Sequence, residues 1–111
     1  MSTHTLLCQL DDIPDGDSCA LVADIDDVST SLIAVRKNKA VYVYKNSCPH
    51  IFAPLDFQPG RFLNLEKDLI QCAMHGALFT IEDGHCVQGP CIGKHLSDVA
   101  VFVKDNEVFL A

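Results

Sequence analysis

The sequence predicts an all-β protein, an antiparallel sandwich or barrel of short strands. Three observations point there. Short runs of apolar and β-branched residues recur along the chain, the strongest being Val41, Tyr42, Val43 and Tyr44. Turn-forming residues separate these runs at close intervals, among them Asn38, Asp83-Gly84 and Asp105-Asn106. No stretch carries a convincing helical period, and no repeat or linker divides the 111 residues, so one domain is expected over 1–111.

Taken in order, Thr5 to Leu10 reads as a first strand with Leu6, Cys8 and Leu10 on one face. Ile13 to Asp17, with its Pro-Asp-Gly core, is a turn. Cys19 to Asp24 is a second strand, and Asp24 to Ser31 reads as a polar loop. Leu32 to Arg36 and Ala40 to Lys45 form a hairpin around Lys37-Asn38-Lys39, where Asn tolerates the left-handed conformation. Arg61 to Asn64 and Asp68 to Cys72 form another, turning at Glu66-Lys67-Asp68. Ala77 to Ile81 and His85 to Val87 pair around Glu82-Asp83-Gly84, and Val99 to Lys104 pairs with Glu107 to Leu110 around Asp105-Asn106.

Composition narrows the function. About half the residues are hydrophobic, which argues for a packed core. The formal charge of −7 disfavours nucleic acid and suits a basic docking patch on a partner, or plain solubility. No apolar run is long enough to span a membrane and no signal peptide is visible, so a soluble cytoplasmic monomer is expected. In that compartment Cys8, Cys19, Cys86 and Cys91 are expected to be reduced, although Cys86 and Cys91 flank one loop and a disulfide between them stays open.

The chemistry concentrates between Cys48 and His75. Cys48-Pro49-His50 and Cys72-Ala73-Met74-His75-Gly76 make a C-x-H pair and a C-x2-H pair, with twenty-one residues between them. Two thiolates and two imidazoles suit tetrahedral zinc, or a 2Fe–2S cluster in which His replaces Cys on one iron. A zinc finger pairs Cys with Cys and His with His. Here each pair mixes the types, so each loop would give one ligand to each of two irons. Zinc in the same four ligands, and four side chains that only pack, remain the alternatives.

These two boxes resemble the cluster-binding loops of Rieske proteins, followed here by Phe79 and by Gly84 in a turn. Gly89-Pro90-Cys91 resembles the proline loop that covers the cluster in that family, and the likeness spans Val41 to Leu110. The gap between boxes is longer than is usual in the small ferredoxins, implying extra residues near Gly60 to Lys67. The resemblance implies a Rieske-like antiparallel β-sandwich with a cluster-binding subdomain over about 45–90. It also implies one Rieske-type 2Fe–2S cluster, with Cys48 and Cys72 on one iron and His50 and His75 on the other.

Family analogy extends to the potential. High-potential Rieske proteins carry a disulfide between the two boxes and hydroxyls that donate to sulfur. The matching positions here are Ala53 and Met74 for the disulfide, Ala77 and Phe79 for the hydroxyls, and none can serve. Fewer hydrogen bonds to sulfur leave the reduced state less stabilised, so a potential near the low end of the family's window of roughly −150 to +300 mV is expected. Reduction should raise the ligand imidazole pKa, so the potential should fall as pH rises past the oxidised-state value.

Other classes are expected to be excluded. His4, His85 and His95 have no partners at ligand spacing and read as surface or turn residues. The chain has no two-His-one-carboxylate pattern for a mononuclear iron and no Gly-rich nucleotide motif, so it is expected to carry electrons and not to be an enzyme. The resemblance points to a ferredoxin of an aromatic-ring-hydroxylating dioxygenase system, between a flavin-dependent reductase and a terminal oxygenase. A subunit resembling the small subunit of assimilatory nitrite reductase, or a redox sensor acting through protein interaction, are the other readings.

Overall fold

The computed structural model describes residues 5–46, 63–64, 67–71, 77–89 and 92–111. Among the described residues, ten strands arrange as three antiparallel sheets. The centre is a four-stranded sheet of β2 (Ser18–Ile25), β3 (Val28–Lys37), β4 (Ala40–Lys45) and β8 (Asp98–Val99), in the order β2-β3-β4-β8. Against one face lies the sheet β1-β10-β9, made from Thr5–Gln9, Glu107–Leu110 and Val101–Lys104. The third sheet is β5-β6-β7, from Leu69–Gln71, Leu78–Thr80 and Cys86–Gln88.

The apolar run Leu32-Ile33-Ala34-Val35 explains the layering. All four residues are fully buried, and successive strand residues face opposite sides, so β3 must be covered on both. Leu32 and Ala34 join Val43, Ala23 and Ile13 in one core, against which Leu7, Cys8 and Val101 of the β1-β10-β9 sheet pack. Ile33 and Val35 join Tyr44 in a second core with Ile70, Ala77, Phe79, Ile81, Cys86 and Leu96. The β5-β6-β7 unit therefore sits on the face of β3 and β4 that carries Tyr44.

The predicted all-β antiparallel class agrees with this architecture. The Lys37–Lys39 and Asp105–Asn106 turns form as expected, with Asn38, Asp105 and Asn106 at positive φ. Three expectations fail. Asp24 to Ser31 is no loop: β2 and β3 continue in register from Ser18↔Val35 to Ile25↔Val28 and turn at Asp26-Asp27, both left-handed (φ 52° and 64°). Two aspartates at positive φ give the tight hairpin turn that matches strand twist. In β1, a bulge between Leu6 and Cys8 breaks the alternation, so Leu7 and Cys8 both pack inward while Leu6 is 46% exposed. The expected strand Val99 to Lys104 is two. Val99 pairs with Val43 in the central sheet, the chain steps across at Ala100, and Val101 pairs with Leu110 in the neighbouring sheet.

One short 3₁₀ turn, Leu10–Asp12, follows β1. Arg36 fastens it, its guanidinium donating to the carbonyls of Ile13 (3.0 Å) and Leu10 (3.4 Å). Among the described residues no helix is long and apolar enough to cross a membrane.

Candidate metal centre

Cys48, His50, Cys72 and His75 lie outside the described residues, as do Ala53, Met74 and Cys91. What the structure describes is the scaffold that delivers them. β4 carries the chain to Asn46, two residues before Cys48. Its end is held by Lys45 N–H donating to the Ser97 carbonyl (2.8 Å) and Asn46 N–H donating to the Ser31 carbonyl (2.9 Å). β5 ends at Gln71, one residue before Cys72, and β6 begins at Leu78. Gln71 and Leu78 are register partners, so the second box falls between two strand ends about 5 Å apart.

The two supports share one core. Tyr44, four residues before Cys48, packs in the same cluster as Ile70, two residues before Cys72, and as Ala77 and Phe79 just after the second box. Tyr44 is 2% exposed, and its hydroxyl donates to the Ile81 carbonyl. Burial, reinforced by the carboxylates of Asp83, Asp98 and Glu82, holds its phenol well above the usual tyrosine range, so it stays a neutral donor. Gly84 closes on the same ring: a Cβ there would stand 2.8 Å from Tyr44 Cε1, and the backbone is at φ +69°.

The entry to β5 is built by Asn64. Its Oδ1 accepts from the Asp68 and Leu69 N–H groups (3.1 Å each), and its Nδ2 donates to Asp68 Oδ1 (2.8 Å). Leu63 bridges Ile70, Lys67 takes φ 57° and its N–H donates to the Asn64 carbonyl (3.0 Å), so the two described segments meet; Glu66 of the expected turn lies outside the described residues. Arg61 and Phe62 of that expected hairpin are outside the described residues. Lys67 pairs with Asp17 at 2.9 Å, and Lys37 pairs with Glu82, tying the β5-β6-β7 unit to the rest at two half-exposed points.

Gly89, which opens the third segment in sequence, meets Ala77, the first described residue after the second box. Gly89 has φ +104°, and a Cβ on it would lie 2.8 Å from Ala77 Cα and 3.1 Å from Ala77 Cβ. The residue that opens Gly89-Pro90-Cys91 therefore rests on the residue that follows Gly76. On either side, Val87 and Ile92 are 51% and 69% exposed, an apolar pair beside the loops. Cys86 is buried, and its thiol donates to the Gln88 carbonyl (3.2 Å).

Two polar positions implied by family analogy are described. Ala77 and Phe79 are both fully buried, so a methyl and a phenyl occupy the places of the hydroxyls. Sequence reasoning missed one pairing: His85 and His95 are bridged across two antiparallel segments. Their separation by ten residues fits no ligand motif, and only the fold brings them together.

A sequence model of the family described as the Rieske [2Fe-2S] domain matches residues 3–106. The chain belongs to the Rieske family. It carries one Rieske-type 2Fe–2S cluster, and its role is that of an electron carrier and not of an enzyme. Among solved structures, this Rieske chain is similar to the ferredoxin of carbazole 1,9a-dioxygenase from Nocardioides aromaticivorans IC177. Identity is 27%, TM-score 0.76, and coverage 99% of this chain and 98% of that one. It is also similar to the ferredoxin of Sphingomonas yanoikuyae B1, at 25% identity and TM-score 0.72, covering 97% of each chain. A putative nitrite reductase small subunit shares the fold at 21% identity and TM-score 0.69, covering 99% of this chain and 100% of that one. No curated protein matches the sequence significantly.

The donor set suits the Rieske cluster. Two cysteines and two histidines are what its unequal irons require, and the described strands bring the flanks of both boxes and of the proline loop onto one core.

Proposed function

We propose that this protein is the ferredoxin of an aromatic-ring-hydroxylating system, taking electrons from a flavin-dependent reductase and delivering them to a terminal oxygenase. The observation that carries the reading is agreement over 98% of the length of a dioxygenase ferredoxin at 27% identity. Cys48 and Cys72 would hold one iron and His50 and His75 the other, within a cluster-binding subdomain over about 45–90 that contains all of β5, β6 and β7. The bound cluster supplies a site that accepts and releases one electron.

The chain's own residues do the rest. Tyr44, Ile70 and Phe79 pack in one buried cluster that joins the described flanks of the two boxes. Gly89, having no Cβ, lets the chain lie directly against Ala77. Val87 and Ile92 offer partner-facing apolar surface, and the net charge of −7 steers the chain toward a basic patch. Among the described residues Cys8 and Cys19 are free thiols, which supports a reducing cytoplasmic setting.

The test is product formation by a Rieske-type terminal oxygenase and its flavin-dependent reductase, with and without this protein. Turnover should depend on it and should fall as salt rises from 50 to 500 mM, roughly following the loss of charge steering. Turnover that is unchanged by adding the cluster-loaded protein to several such oxygenases would overturn the reading.

A further inference from the structure

The geometry points to a second metal site, remote from the Cys48–His75 boxes in sequence: a divalent first-row transition ion chelated by His85 and His95. Backbone pairing sets the geometry. Cys86 N–H donates to the Lys94 carbonyl (3.0 Å) and Leu96 N–H to the Gly84 carbonyl (2.9 Å). These bonds bracket His85 and His95, making them a directly opposed pair of the kind that does not share hydrogen bonds, where Cα atoms lie about 4.5 Å apart and side chains are closest. Both side chains are exposed, and their ring centroids are 5.8 Å apart at 67°.

The distance suits an ion. Two imidazoles on one tetrahedral zinc, at about 2.0–2.1 Å per bond, place their ring centroids about 5.3 Å apart. Closing from 5.8 Å takes about half an ångström, well within side-chain rotation. The tautomer suits it too. His95 Nδ1 is 2.9 Å from the Leu96 carbonyl, which can only accept, so Nδ1 carries the proton and Nε2 presents its lone pair.

The surroundings attract cations. Both rings line an open recess of about 320 Å³ with Tyr44, Glu82, Asp83 and Asp98. Glu82 is engaged by Lys37 and the Tyr44 hydroxyl by the Ile81 carbonyl, which leaves Asp83 and Asp98 as the charges facing the rings. Among the described residues no three His, Cys, Asp or Glu side chains converge as they stand, so two imidazoles bind directly and water completes the shell. Imidazole donors favour zinc, nickel and copper over magnesium or calcium.

The test is calorimetric titration of the cluster-loaded protein with zinc chloride, with visible absorbance recorded throughout. Wild type should take up one equivalent with its absorbance unchanged. His85→Ala and His95→Ala should each weaken binding at least tenfold, and Asp83→Asn with Asp98→Asn should weaken it a few-fold. His85→Gln, which keeps the side chain's bulk and polarity, separates lost ligation from lost structure and should behave as His85→Ala does. Zinc uptake that is absent in wild type, or equal in wild type and both histidine variants, would overturn the assignment.

Discussion

Gly89 and Gly93 make a matched pair for testing how tightly Gly89 is seated on Ala77. Both sit at similar positive φ, +104° and +92°, so replacing either with alanine incurs a comparable backbone strain of about 1–3 kcal/mol. Only Gly89 also meets a neighbour: its new Cβ would stand 2.8 Å from Ala77 Cα, whereas nothing lies within 4 Å at Gly93. Because the obstacle is backbone, relief needs a shift of the strand end, and overpacking of this kind costs about 1–3 kcal/mol. At about 5 °C per kcal/mol for a domain of this size, Gly89→Ala should melt roughly 5–15 °C below Gly93→Ala. The assay is thermal unfolding of cluster-loaded protein at one scan rate, by circular dichroism and visible absorbance together. Absorbance should bleach earlier in Gly89→Ala, since Ala77 follows the second box. Equal midpoints for the two variants would refute that seating.

Tyr44→Phe should lower stability by about 1–3 kcal/mol, because it strands the buried Ile81 carbonyl while keeping the ring's packing; urea denaturation reads the shift, and a change under about 0.5 kcal/mol would contradict it. Ala77→Ser and Phe79→Tyr should each raise the cluster midpoint by about 20–60 mV, the equivalent of one hydrogen bond to the reduced site, and spectroelectrochemistry would show an unmoved midpoint if that reasoning fails. Cys19, its thiol pushed up to about 11 first by burial and then by Cys8 and Asp12, should alkylate with iodoacetamide about 100-fold more slowly at pH 7.5 than a thiol at 9.0. The same shift has a stability consequence. A raised native value favours the fold fully below pH 9 and loses that contribution as pH climbs toward 11, so the unfolding midpoint should fall across that window.

The hairpins marked by Asn38 and by Asp105-Asn106 were legible because local side chains alone select their turns. The segment from Asp24 to Ser31 was not, because its Asp, Ser and Thr are polar, and only the pairing of the end of β2 with the start of β3 makes them strand. Leu7 shows the limit of alternation: one bulge turns it inward beside Cys8. The break at Ala100 depends on which sheet each flanking valine joins, a long-range fact. The two Cys-and-His boxes stand out by residue types and spacing but lie outside the described residues, while the seating of Gly89 on Ala77 and the opposition of His85 to His95 arise only when distant segments meet.

The central claim is a pair of irons bound unequally by Cys48, Cys72, His50 and His75. It is tested most directly by iron and acid-labile sulfide analysis of anaerobically purified protein, with electron paramagnetic resonance after dithionite reduction. The account predicts two irons and two sulfides per chain, a paramagnetic signal from the reduced cluster, and loss of both in Cys48→Ala and Cys72→Ala. A colourless protein holding one zinc and no sulfide would contradict it.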